Sequence, residues 1–275
     1  MSEQKMSYGQ KNKWPLAAII SLVFIASLFA ALKQLSQSSP NRQGQLIIYC
    51  AAALKLPISE ITKAYTAKFG IPVSIEYGSS GELETKLQQD ANYKKSRAHL
   101  YIPADSSFSK QTKAKGLTFQ SFPIASFKLV LAVKVKDPLE VSTFKGFLDQ
   151  GISFAICSKK AGAGKKTMDI LKQSGDWQKT KQQRKVVTSK VTECASAVKT
   201  AKNLRAGIVW STTALQFGLR VIELPEFAHS DTEINVNITN SHNNAEALQL
   251  ARYLSSSKNA QKSFTKYGFQ SVATP

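Results

Sequence analysis

Two short stretches hold the residue types from which chemistry could be built. Gly78-Ser-Ser-Gly81 sets two hydroxyls between glycines, and Ala161-Gly-Ala-Gly-Lys-Lys-Thr167 sets glycines ahead of lysines and a threonine. A nucleophilic Ser80 would need the pattern Gly-x-Ser-x-Gly, but Glu82 stands at its last position. A phosphate-cradling loop needs a glycine separated by four residues from Gly-Lys-Ser/Thr; Lys159 and Lys166 stand where the first glycine and the hydroxyl belong. His99, His229 and His242 lie far apart, and Cys50, Cys157 and Cys194 form no Cys-x-x-Cys pair. The sequence therefore supports neither a catalytic triad nor a zinc site. We expect no enzyme activity, no cofactor and no metal held by cation-type ligands. What remains is hydrogen-bond donation. A serine hydroxyl donates without adding charge, and small residues let a ligand approach the backbone.

Donors of this kind need elements to aim them. A β-type run, Val73–Tyr77, leads into Gly78, and a helical run starts at Glu82, so the serines sit where a strand becomes a helix N-terminus. The first N–H groups of a helix lack intrahelical partners and its dipole favours an anion there. An ordinary capped helix is the alternative reading of the same residues. Three further places share the design: Cys50–Leu54, Ala161–Gly164 and Lys190–Glu193. The strand Leu46–Leu54 precedes a helical pattern with Pro57, Ile58, Ile61, Tyr65 and Phe69 on one face, stopped by Gly70. His99–Asp105 reads as a strand and Ser106–Lys115 as a helix. This β-α alternation predicts a mainly parallel sheet, whose strand ends are where ligands bind. Further strands are expected at 127–133, 152–157, 185–188, 206–210, 221–224 and 233–239, with closing helices at 243–255 and 258–267. No internal repeat is visible.

The chain has 275 residues and a formal charge of +19, enough for about two domains with a basic field that attracts anions. The lysines of 159–205 are scattered without interleaved aromatics, so a solvated face is expected and not a nucleic-acid surface. Residues 1–13 are polar and basic. Trp14 to Leu32 is free of charge and spans about 28 Å as a helix, enough to cross a bilayer. It is longer than a usual signal-peptide core and no clean cleavage site follows. We expect an uncleaved anchor with the N-terminus cytoplasmic, then a polar tether over 33–45.

Six motifs in order resemble those of the periplasmic molybdate/tungstate-binding proteins of ABC importers. These are Tyr49-Cys-Ala-Ala-Ala-Leu54, Gly78-Ser-Ser-Gly81, Ala98-His-Leu-Tyr-Ile-Pro-Ala-Asp105, Gly162-Ala-Gly164, Gly207-Ile-Val-Trp210 and Tyr267-Gly-Phe269. The likeness covers about residues 46–269. It implies a two-lobed α/β type II fold with a Venus-flytrap shape, preceded here by one N-terminal transmembrane helix. Lobe I would comprise 46–125 and 214–275 and lobe II 126–213, with crossings near Ser126 and Thr213. It further implies an oxyanion held by hydroxyls and backbone N–H groups between the lobes. By position, Ser80 matches a ligand serine, and Ala163 and Thr192 match backbone donors. Ala53 replaces the other ligand serine and Trp210 replaces a tyrosine, so each removes a hydroxyl. His99 replaces an aspartate. The N–H groups of Ala53 and Leu54 would then compensate, with Ser79, Ser80 or Glu193 taking a larger share; Trp210 keeps only its indole N–H. The implied partners are molybdate or tungstate, an ABC permease and the inner membrane, with the receptor acting as a monomer. Another anion on the same fold, or an anchored sensor without transport, is the alternative.

Overall fold

The computed structural model describes residues 44–93, 97–240 and 245–270. The expected basic N-terminus (1–13), anchor (14–32) and nearly all of the tether lie outside the described residues, as does His242. Among the described residues, no helix is long and apolar enough to cross a membrane.

Strand β1 (Leu46–Ala51) runs through a 3-10 turn (Ala52–Leu54) into α1 (Lys55–Phe69). Strand β2 (Val73–Gly78) feeds α2 (Ser80–Asn92), and β3 (Leu100–Ile102) feeds α3 (Ser106–Ala114). Next come β4 (Thr118–Phe127) and, one residue later, β5 (Leu129–Val133). After α4 (Phe144–Asp149) the scheme recurs. Strand β6 (Phe154–Cys157) leads to α5 (Gly162–Gln173) and α6 (Trp177–Gln183), and β7 (Arg184–Thr188) to α7 (Val191–Thr200). Strand β8 (Ala206–Trp210) leads to α8 (Ser211–Gln216) and β9 (Arg220–Ile222). Strand β10 (Thr232–Thr239), α9 (Ala245–Ser256) and α10 (Lys258–Lys266) close the described chain.

These strands form two five-stranded sheets, ordered β2-β1-β3-β10-β4 and β7-β6-β8-β5-β9. Within each, a parallel trio is joined by an antiparallel strand from elsewhere in the chain: β10 in the first sheet, β5 in the second. The sheets are therefore mixed: β10 and β5 each enter against the trio, while β4 and β9 beyond them run with it, so four of the five strands share one direction as expected of a mainly parallel sheet. The two halves also share one spatial strand order, with the antiparallel strand following its trio in the first (β10) and preceding it in the second (β5), a repeat that no residue pattern displays. The first change of sheet falls at Lys128, just beyond Ser126. The return falls between Ile222 and Thr232, and not near Thr213, because Val133–Leu131 pair with Arg220–Ile222 and keep β9 in the second sheet.

Local sequence explains the boundaries that matter for the site. Helix α1 ends at Gly70, whose φ of 72° is left-handed and suits glycine. Strands β5 and β8 are buried along their whole length, as expected of apolar runs inside a sheet covered on both faces. Under the second sheet Phe144, Phe147, Phe154 and Phe227 pack edge to face or tilted, at 5.1 to 6.3 Å between centroids. Each buried phenylalanine contributes about 1.5–3 kcal/mol of apolar transfer. Tyr65, Phe69 and Tyr253 form the counterpart cluster of the first half.

Candidate functional site

The carboxyl ends of β1, β2 and β3 meet those of β6, β7 and β8. Register sets the levels: Ala51 lies opposite Gly78, and Cys157 opposite Thr188. A cavity of about 10 Å³ lies at the meeting point, lined on the first wall by residues 51–53, 78–80 and 104 and on the second by 161–163, 190, 191 and 210. All six strand-to-helix passages thus contribute to one niche, which has room for about one water molecule. Its lining contains Lys190 and no carboxylate. Orphan N–H groups and helix dipoles converging without a countercharge favour an anion.

The first wall is tied down by its own hydrogen bonds. Ser79 caps α2: its hydroxyl accepts the Glu82 N–H at 3.4 Å, and the Glu82 carboxylate accepts the Ser79 N–H at 3.1 Å. The ordinary capped-helix reading thus describes Ser79. Ser80 is only 1% exposed, and its Oγ accepts the Ala104 N–H at 3.1 Å, which leaves its own O–H to donate. The Tyr101 hydroxyl donates to the Ser80 carbonyl at 2.8 Å, and burial pushes that phenol well above its ordinary pKa, so it stays a donor. Asp105 caps α3 by accepting the Ser107 N–H at 2.9 Å.

Donors on the second wall are less committed. No side chain caps α5, whose N-cap is Ala161, and Ala163 is 1% exposed in its first turn. Trp210 is fully buried, and its ring stacks on Phe127 with centroids 4.3 Å apart and planes inclined by 23°. Its Nε1–H has no hydrogen-bond partner among the described residues. A buried donor left this way costs about 1–3 kcal/mol, which an acceptor within its reach would recover.

The two walls touch beside the niche. The Gly81 N–H donates to the Lys160 carbonyl across the gap at 2.8 Å. A Cβ at Gly81 would stand 3.0 Å from that carbonyl oxygen, and one at Gly162 would stand 3.0 Å from the Ala104 carbonyl. Glycine is needed at both positions for this approach, which explains why the niche is so small.

Of the residues expected from sequence, Ala53, Ser79, Ser80, Ala163 and Trp210 are brought together here. Leu54 is buried in the core of the first half. Thr192 lines a separate, larger pocket. Glu193 caps its own helix, accepting the N–H groups of Ser189 at 3.2 Å and Lys190 at 3.1 Å and the Ser189 hydroxyl at 2.9 Å. Burial pulls its carboxyl upward, but these bonds and Lys190 hold it below the ordinary range. Ala104 was missed by sequence reasoning altogether, whereas Gly162 and Lys190 fall inside the expected junctions but were not chosen as contacts. The first was legible by the rule already applied: Ala104-Asp105-Ser106 is a small residue and an N-cap at the end of a strand. Among the described residues, no group of His, Cys, Asp or Glu side chains could hold a metal ion.

Residues 46–270 match the family described as bacterial extracellular solute-binding protein. No curated protein matches the sequence. Among solved structures, the chain is similar to the periplasmic molybdate-binding protein of Azotobacter vinelandii, at 18% identity over 84% of this chain and 100% of that one, with a TM-score of 0.66. It is also similar to iron-bound HitA from Pseudomonas aeruginosa, at 14% identity over 84% and 89% and a TM-score of 0.66. A third likeness is to AfuA of Actinobacillus pleuropneumoniae with fructose-6-phosphate bound, at 15% identity over 82% and 83% and a TM-score of 0.69. At these identities the likeness carries the fold.

Proposed function

The chain belongs to the family of bacterial extracellular solute-binding proteins, and from that premise we propose that it captures a tetrahedral oxyanion between its two walls and hands it to an ABC permease. Molybdate and tungstate are the first candidates. The observation that carries this reading is the unpartnered Trp210 Nε1–H beside a niche ringed by six helix or turn N-termini and free of carboxylates. In the proposed complex Ser80 donates its O–H, Trp210 its indole N–H, and Ala53 and Ala163 their backbone N–H groups, with Lys190 adding charge at the rim. Leu54, Thr192 and Glu193 drop out of the contact set. The lining offers no carboxylate, imidazole or phenol, so a cation such as the iron of one structural neighbour has no ligands here. The molybdate-binding neighbour supports the choice of ion.

Neutral donors suit a carrier that must also release its cargo, because charge-assisted bonds to N–H and O–H groups are strong without a fixed countercharge. A tetrahedral ion exceeds a one-water niche, so the walls must part a little to admit it. The Gly81–Lys160 bond is the first contact to yield, and Lys128 and the 223–231 segment are where the two sheets are joined. Attachment to the membrane through residues 14–32 and action as a monomer complete the proposal.

Titration of the full-length protein with molybdate, tungstate, sulfate and phosphate tests it. At least one ion is expected to shift tryptophan emission and raise the melting temperature, by linkage of binding to folding. Trp210→Phe is expected to remove most of the emission response. Four ions without a shift in either signal would reject the reading.

A further inference from the structure

A second compartment adjoins the niche. It measures about 460 Å³, within the usual range for small-molecule sites, and shares Ala52 and Lys190 with the niche. One side is formed by Lys55, Leu56 and Tyr77, the other by Thr192, Gln216 and Phe217. Its chemistry differs from that of the niche. Tyr77 has its hydroxyl engaged, with Ser59 at 2.8 Å and the Lys55 carbonyl at 3.3 Å, so what it offers a ligand is its ring. The Lys55 ammonium lies 5.9 Å from that ring's centroid. Leu56 is 42% exposed, an apolar surface left open at the compartment's edge. Gln216 has a buried Nε2 without a partner among the described residues, a second orphan donor beside the cleft. No carboxylate lines the compartment.

We infer that the oxyanion taken by this cleft carries one carbon substituent: the head group enters the niche and an organic body fills the adjoining compartment. This rests on the oxyanion reading above and narrows its substrate class to monosubstituted tetrahedral anions, such as phosphate monoesters. A niche of about 10 Å³ takes little more than the leading oxygen of such a head. The remaining oxygens fall near Lys190, which serves both spaces. The body lies between the Tyr77 and Phe217 rings, where an aromatic or compact aliphatic group buries apolar area. Gln216, with its buried amide turned into the compartment, donates to an ester or hydroxyl oxygen. A bare ion would use only the niche, leaving the compartment to water and the Gln216 amide unpaired.

Calorimetry on the full-length protein compares phenyl phosphate and glycerol phosphate with inorganic phosphate and molybdate. Phenyl phosphate is expected to bind at least tenfold more tightly than inorganic phosphate. Gln216→Ala and Phe217→Ala, neither of which touches the niche, are expected to weaken phenyl phosphate at least fivefold and to leave the bare ions within twofold. Melting curves check that both variants fold; Gln216→Ala removes an unpartnered amide and is expected to melt with the parent. Bare ions binding as tightly as the esters, or losing as much in the variants, would overturn the inference and leave the oxyanion reading standing. If no anion of either kind binds the folded protein, both fall together.

Discussion

The two walls of the cleft have the same strand order and differ in how their buried side chains are hydrogen-bonded. On the first, the polar side chains near the niche have structural partners, Ser79 with Glu82, Ser80 with Ala104 and Asp105 with Ser107, while the turn at Ala52–Leu54 lacks a side-chain cap. On the second, the indole of Trp210 has none and the start of α5 lacks a side-chain cap. One strand order has thus been used for two tasks. The first wall is prebuilt, so its shape does not depend on a ligand. The second holds donors in reserve, so its free energy falls most when an acceptor arrives.

The largest expected effect tests the backbone framework of each wall. A Cβ at Gly164, in the first turn of α5, would stand 2.1 Å from the Ser158 carbonyl oxygen and 2.4 Å from that of Cys157. Both obstacles are main chain and cannot rotate away. At Gly78, on the first wall, the added carbon would meet Leu83 Cγ at 3.0 Å, a side chain that can shift. Gly164→Ala is therefore expected to cost about 3 kcal/mol or more, and Gly78→Ala about 1 kcal/mol. Denaturant unfolding of both variants decides; equal losses would show that α5 does not lean on its strand as described.

The next test goes to the asymmetry itself. Ser80→Ala strands the buried Ala104 N–H, so it is expected to lower stability by about 1–3 kcal/mol as well as weakening the anion. Trp210→Phe keeps the stack on Phe127 and deletes a donor that already lacks a partner. Relief of the unpaired donor offsets the void left by the smaller ring, so stability is expected to change by less than about 1 kcal/mol while anion affinity falls about tenfold or more. Stability and affinity measured together separate the walls. If Trp210→Phe destabilises as much as Ser80→Ala, the indole has a structural partner and the contrast collapses.

How much of this was legible follows from what each feature depends on. The junctions at 50–54, 78–81, 161–164 and 190–193 were readable because small residues before a helical pattern are a local signal. Their convergence also tracked the order of the parallel trios. Strand β4 was not readable. Thr118-Phe-Gln-Ser-Phe-Pro123 carries a proline that argues against a strand. The proline is tolerated because β4 is a sheet edge and the partner β10 shifts register between Ile234 and Asn235, beside it. Strands β5 and β10 were visible as strands, but their sheets were not. Each is recruited by a trio distant in sequence, and no local pattern encodes that choice. Glu193 looked like a ligand because a carboxylate near a helix start is a functional signal as readily as a capping one. Its three short bonds to residues 189 and 190 make it the cap.

The smallest expected effect concerns charges that fasten the second half away from the niche. Asp137 follows β5 and receives Arg205 through two bonds, at 3.0 Å and 2.6 Å, just before β8 begins. The Arg205 hydrogen bonds, against an opposing pull from burial, hold the Asp137 carboxyl below its ordinary value. A depressed carboxyl contributes stability that is complete above its unfolded value near pH 4 and fades as pH falls through the lower folded value. Arg205 is 43% exposed, so solvent screening limits the pair to about 1 kcal/mol. Asp137→Asn is expected to lower stability by that amount at pH 7, with the difference from the parent shrinking steadily below about pH 4. Anion affinity should stay unchanged, because the pair ties β5 to the entry of β8 and Trp210 lies at that strand's far end, opposite Leu129. A change in affinity with this variant would mean that the second wall is not held independently of the strand ends behind it. Its free donors would then be tuned from a distance and not simply left in reserve.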